Sequence, residues 1–70
     1  MANFRGTNAK EMILATIEDF KRERGYAPTV RELGVLTHYS PSAVQYHLDA
    51  MERDGILSRD RKIARSIQTL

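Results

Sequence analysis

Ser42, Ala43, Gln45 and Tyr46 lie within one short stretch of the chain, and their side chains suit the reading of base-pair edges. Gln can pair with adenine through two hydrogen bonds, alanine can touch a thymine methyl, and serine can meet either donor or acceptor edges. Ser40, just upstream, belongs with them. A second group is basic: Arg59, Arg61, Lys62 and Arg65 cluster near the C-terminal end with a single acid, Asp60, among them. Such side chains neutralise phosphates or enter an adjacent minor groove. Tyr39 could donate to a phosphate or pack, with neither favoured, and Arg53 is a further candidate for the DNA backbone. Arg31 could reach the backbone or pair with a nearby acid, and the acid is favoured.

Nothing comparable supports catalysis. His38 and His47 fall on different elements and lack metal-ligand spacing. Ser40, Ser42, Ser58 and Ser66 have no neighbouring partner that would make a nucleophile, and no glycine-rich loop could cradle a phosphate. The expectation is a protein without enzymatic activity, cofactor or metal.

The candidate readers need a rigid element with one buried face. Ser40 followed by Pro41 is a helix start, a hydroxyl at the N-cap and a proline at the first helical position. Gly55 offers the left-handed residue that closes a helix reaching about Arg53. Within it Val44, His47, Leu48 and Met51 fall at i, i+3, i+4 and i+7, the stripe expected to face a core. The opposite stripe is Ser42, Tyr46, Asp49 and Arg53, flanked by Ala43 and Gln45. Just before it, Thr29 and Glu32 form a capping box that starts a helix at Val30. Two short helices joined by a tight turn are thus expected, the second exposing a polar face.

Earlier still, Thr7 or Asn8 can cap a longer helix whose apolar side is Ala9, Ile13, Ile17 and Phe20, with Met12 and Thr16 beside them. Its outer face mixes Glu18, Asp19, Lys21, Arg22, Glu23 and Arg24, and Gly25 ends it. After Gly55 the pattern changes to strand-like runs at Ile56-Leu57-Ser58 and Arg65-Ser66-Ile67-Gln68-Thr69-Leu70, with Arg59-Asp60-Arg61-Lys62 between them. A β-hairpin with a basic tip is expected there, although the whole chain carries a net charge of only +2.

The order helix, helix, helix, strand, strand is mainly α with a small β-hairpin, a winged helix-turn-helix of three helices plus wing. With 70 residues, 41% of them hydrophobic, residues 1–70 form a single domain with one modest core. The absence of cysteine excludes a disulfide framework and suits a reducing compartment. No apolar run approaches a membrane span and Met1 to Gly6 is not a secretory signal, so the expected location is cytoplasmic.

Several stretches resemble the N-terminal DNA-binding domain of the LexA repressor family. Gly25-Tyr26-Ala27-Pro28-Thr29-Val30-Arg31-Glu32-Leu33 is similar to that family's entry into its second helix. Ser40-Pro41-Ser42-Ala43-Val44, His47-Leu48, Met51-Glu52 and Gly55-Ile56-Leu57 resemble its recognition helix and first wing strand. Arg59-Asp60 through Arg65, Ile67 and Leu70 resembles the returning strand. By position, the resemblance implies base reading by Ser40, Ser42, Ala43, Gln45 and Tyr46, the face that periodicity also exposes. There are departures. The segment between Glu32 and Ser40 is one residue shorter than the family pattern, and Thr37 stands where the family has its turn glycine. Gln45 and Tyr46 replace side chains common in related repressors, and Arg61-Lys62 stands in place of a Pro-Gly in the wing. The family's self-cleaving, dimerising C-terminal domain has no counterpart in these residues, so the resemblance implies a stand-alone domain.

The expected function is sequence-specific binding of double-stranded DNA by a transcriptional repressor or regulator, with the third helix in the major groove and the wing on the backbone or minor groove. The chain is expected to be a monomer in solution and to pair, if at all, on two half-sites. The alternative is a protein-docking module on the same fold, such as an antirepressor or an assembly subunit.

Overall fold

The computed structural model describes residues 8–70, and within them the chain forms three helices and a two-stranded hairpin: α1 Ala9–Arg24, α2 Val30–Thr37, α3 Pro41–Arg53, β1 Leu57–Ser58 and β2 Gln68–Thr69. This is the expected winged helix-turn-helix. Each helix starts on a side-chain cap. Asn8 Oδ1 accepts from Glu11 N at 2.9 Å, while the alternative cap, Thr7, lies outside the described residues. Thr29 Oγ1 accepts from Glu32 N at 3.1 Å and Glu32 Oε1 accepts from Thr29 N at 2.9 Å, so both arms of the capping box form. Ser40 Oγ accepts from Ala43 N at 3.1 Å with Pro41 at the first helical position. Each such cap stabilises its helix by about 1 kcal/mol.

The helix ends are equally local. Gly25, at φ 82, closes α1 by donating to Lys21 O. After α3, Gly55 at φ 77 donates to Glu52 O at 3.1 Å and Ile56 N donates to Met51 O at 2.9 Å. These two bonds are the paired closure of a Schellman motif, and they turn the chain directly from α3 into the wing.

The turn between α2 and α3 departs from the sequence reading. The left-handed residue is His38, at φ 64, whereas Thr37 is the last residue of α2, buried, with its hydroxyl donating to Leu33 O at 2.6 Å. The turn is tight because Gly34 has no side chain. A Cβ there would sit 2.9 Å from the backbone oxygen of Tyr39.

One core joins all the elements. Ile13 and Ile17 of α1, Leu33 of α2, Val44, Leu48 and Met51 of α3, and Leu57 and Ile67 of the wing are all buried. Ala27 closes it from the linker. His47 is a correction: placed on the buried stripe by spacing, it is only half-buried, its ring lying between those of Tyr39 and Tyr46 with centroids 6.3 and 5.3 Å away. Tyr39 itself is half-buried against the core.

The strands are shorter than the two apolar runs suggested. The antiparallel ladder pairs only Leu57 with Thr69 and Ser58 with Gln68, extended by Leu70 N donating to Ile56 O at 2.9 Å. The segment from Asp60 to Ser66 is instead a compact turn held by side chains. Asp60 Oδ1 accepts from Lys62 N, Ser66 Oγ accepts from Asp60 N, and the Ser66 hydroxyl lies 2.8 Å from the carbonyl oxygens of both Asp60 and Ile63. Among the described residues no helix is long and apolar enough to cross a membrane.

Candidate nucleic-acid interface

With Val44, Leu48 and Met51 turned into the core, the opposite side of α3 is left uncovered. Ser42 and Gln45 are exposed, Ala43 is half-buried, and Tyr46 is 71% exposed. The face therefore presents a hydroxyl, a carboxamide and a phenol, with a methyl group at its edge, near the N-terminal end of the helix. Ser40 is exposed at the start of α3, where its hydroxyl oxygen serves as the cap. Tyr46 packs edge-on against His47, which in turn contacts Tyr39, so an aromatic column braces the most prominent side chain of the face. Arg53 is exposed in the last turn of α3, where a cation also suits the helix dipole.

The wing cations are placed differently from what their clustering suggested. Arg59 has a side chain only 5% exposed, and it donates through Nη2 to Asp49 Oδ1 at 2.7 Å and through Nε to Glu52 Oε1 at 3.3 Å. Arg61, 62% exposed, pairs with the same Asp49 oxygen and lies 3.7 Å from Glu52 Oε1. Two arginines of the wing thus grip two acids one helical turn apart on α3. Arg65 grips α2 instead. Its Nη1 donates to Glu32 Oε1 at 2.9 Å and Ala27 O at 3.0 Å, its Nη2 donates to Glu32 Oε2 at 3.0 Å, and its guanidinium lies over the Tyr26 ring at 4.6 Å. This bidentate bond from Arg65, with the Thr29 N–H next in importance, holds the Glu32 carboxyl down at about 2, and Glu32 in turn raises Arg65 above its ordinary value.

The expected field of free positive charge beside α3 is therefore largely cancelled within the isolated domain. Of the four wing cations only Lys62 has no carboxylate partner among the described residues. Arg31, expected to pair with an acid, has no carboxylate partner among the described residues and is exposed on the first turn of α2. Together with Gln45 and Arg61 it lines a cleft of about 300 Å³ between α2, α3 and the wing. No group of three or more histidine, aspartate or glutamate side chains among the described residues could hold a metal ion.

The family model for the LexA DNA binding domain matches residues 5–66. The chain belongs to the LexA DNA-binding domain family. It is 42% identical to the LexA repressor of Roseiflexus sp. over 57 residues, 80% of this chain and 26% of that protein. It is 40% identical to the LexA repressor of Exiguobacterium sp. over 62 residues, 87% of this chain and 30% of that protein. With the LexA repressor of Thermobifida fusca the figure is 36% over 63 residues, 89% of this chain and 25% of the relative. The chain spans about a quarter to a third of the length of these curated relatives.

Three features of this LexA-type domain escaped sequence reasoning. The grip of Arg59 and Arg61 on Asp49 and Glu52 had a signal, since residues two apart share one face of an extended segment and residues three apart share one face of a helix. Gly34 had one too, because an unforced glycine inside a helix costs about 1 kcal/mol and so marks a packing need. The pairing of Arg65 with Glu32 had none, because it joins positions 33 residues apart.

Proposed function

We propose that the domain binds double-stranded DNA in a sequence-specific manner and acts as a transcriptional repressor or regulator. In this reading α3 enters the major groove with Ser42, Ala43, Gln45 and Tyr46 toward base edges, Ser40 and Tyr39 lie at its mouth, and Arg53 faces the backbone. The wing lies along the backbone or the adjacent minor groove, led by Lys62. Arg59 and Arg65 act as anchors that hold the wing to α3 and α2, and Arg31 joins the phosphate-facing set. The observation that carries the reading is the uncovered hydrogen-bonding face of α3, set within a domain of the LexA DNA-binding family.

One observation favours the alternative, a protein-docking module: the ion pairs leave little free positive charge on the wing. Selection from random duplexes followed by gel-shift titration separates the two. DNA binding predicts an enriched motif, and Gln45→Ala and Tyr46→Ala each weaken preference at particular base positions by about 1 to 3 kcal/mol while sparing random duplexes. Lys62→Ala weakens all duplexes alike and lowers the logarithmic salt slope by about one unit. No enriched motif and no duplex binding at low salt would remove the DNA reading in favour of the docking module.

A further inference from the structure

We propose that Tyr46 is a specificity-determining residue that reads the C5-methyl group of a thymine, so that the preferred duplexes carry a T·A pair where this side chain enters the major groove. The inference rests on the DNA-binding reading above and assigns the base that one of its side chains selects.

The part of α3 turned toward base edges in that reading is uncharged. Guanine is most often read by arginine or lysine and the cytosine amino group by a carboxylate, and neither type occurs among Ser42, Ala43, Gln45 and Tyr46. Asp49 lies one turn beyond Gln45, and Arg59 and Arg61 already hold its carboxylate. The strong readers of a G·C pair are thus missing from this face. What it offers instead is apolar area. Tyr46 is 71% exposed and is the largest side chain of the set, and Ala43 lies three residues back on the same side of the helix.

A tyrosine side chain has an apolar body and a polar tip, and the two select differently. The hydroxyl both donates and accepts, so every base pair presents it with a partner in the major groove. It distinguishes little. Laid against guanine N7 and O6 or the cytosine amino group, the ring strips water from polar atoms and returns no hydrogen bond to them, which is unfavourable. The apolar group that a base edge does present in the major groove is the thymine methyl. Against it the ring removes apolar surface from water on both partners.

The ring is also held for this contact. His47 meets it edge-on, with centroids 5.3 Å apart and planes at 78°, and His47 lies in turn against Tyr39, which packs on the core. A side chain braced in this way enters the groove with less rotamer freedom to lose.

The test starts from the duplex that the unaltered chain selects out of random sequence. Each thymine in it is replaced in turn by uracil, which removes the methyl group and leaves the hydrogen-bonding edges as they were. One replacement should weaken binding about fourfold, the worth of a methyl group brought out of water. Tyr46→Ala should bind the thymine and uracil forms of that duplex equally, whereas Tyr46→Phe, which keeps the ring and loses the hydroxyl, should preserve the difference. The uracil scan uses the unaltered chain and so depends on no variant folding. Uracil tolerated at every position overturns the proposal while leaving DNA binding standing, and so does a selected motif without thymine. A uracil effect that survives at every sensitive position in Tyr46→Ala, or that vanishes in Tyr46→Phe, overturns it as well. If no motif is enriched, sequence-specific binding itself falls and this inference falls with it.

Discussion

His38 turns the chain between α2 and α3 at φ 64, where a Cβ crowds the following carbonyl oxygen at a cost of about 1 to 2 kcal/mol. Glycine removes that cost but adds about 0.5 to 1 kcal/mol of backbone freedom to the unfolded chain. His38→Gly should therefore stabilise the domain by roughly 0.5 to 1 kcal/mol, read as a rise of several degrees in Tm on thermal unfolding. Gly34 has the opposite balance. Alanine there gains about 1 kcal/mol of helix propensity, yet its Cβ meets the Tyr39 carbonyl oxygen at 2.9 Å, and backbone crowding of that kind costs about 1 to 3 kcal/mol. Since the obstacle is backbone in a tight turn, the crowding wins. Gly34→Ala should lower Tm, and an unchanged or higher value would mean that the turn can open without loss. His47 belongs at this scale as well. Half-buried between two tyrosine rings, it should tolerate phenylalanine, whereas His47→Ala should loosen Tyr46 and reduce sequence preference before it unfolds the domain.

The wing is an element that cannot stand alone: two residue pairs of ladder are too few to hold a hairpin in water. Its position comes from Leu57 and Ile67 in the core and from its arginines, which reach α3 on one side and α2 on the other. The α2 tie is sensitive to acid. Glu32 titrates at about 2 in the folded domain against an ordinary value of 4.5, so its contribution to stability is complete above about 4.5 and is lost as pH falls toward 2. Thermal melts across that interval should show a decline that Glu32→Gln lacks, its melts being lower already at neutral pH. Parallel declines in the two proteins would assign the acid sensitivity to other carboxylates. The same contrast between local and distant bonds explains what the sequence could disclose. Helix starts and stops were legible at Thr29, Ser40, Pro41, Gly25 and Gly55 because a cap is settled by neighbours within a few positions. The exposed face of α3 was legible because burial follows period. The fate of the wing cations was not, since charge clustering along a chain says nothing of the acids that folding brings opposite them. His38 escaped for a related reason: which residue turns left-handed depends on where α2 stops, and that is set by Thr37 being buried.

At the scale of the molecule, the exposed apolar groups among the described residues are few. Val35 and Leu36 on α2, beside Phe20, make the main cluster outside α3 and the wing, well short of the 20 to 30 residues a side of a usual stable interface. We therefore expect a monomer at micromolar concentration by light scattering, with pairing only on DNA that carries two half-sites. Shifting those half-sites by half a helical turn should abolish cooperativity, because the second domain is carried to the opposite face of the duplex. A tight dimer without DNA would overturn this expectation. The order in which the core is filled has a further consequence, for folding. Ile13, Ile17, Leu33, Val44, Leu48 and Met51 can gather as soon as the three helices exist, but Ile67 arrives from near the far end of the chain, and Arg65 must close a span of 33 residues to find Glu32. Long closures are entropically expensive and tend to come late. The helices should thus assemble first and the wing dock upon them, leaving the wing the part most readily unlatched in the native state and the first whose amide hydrogens exchange with solvent.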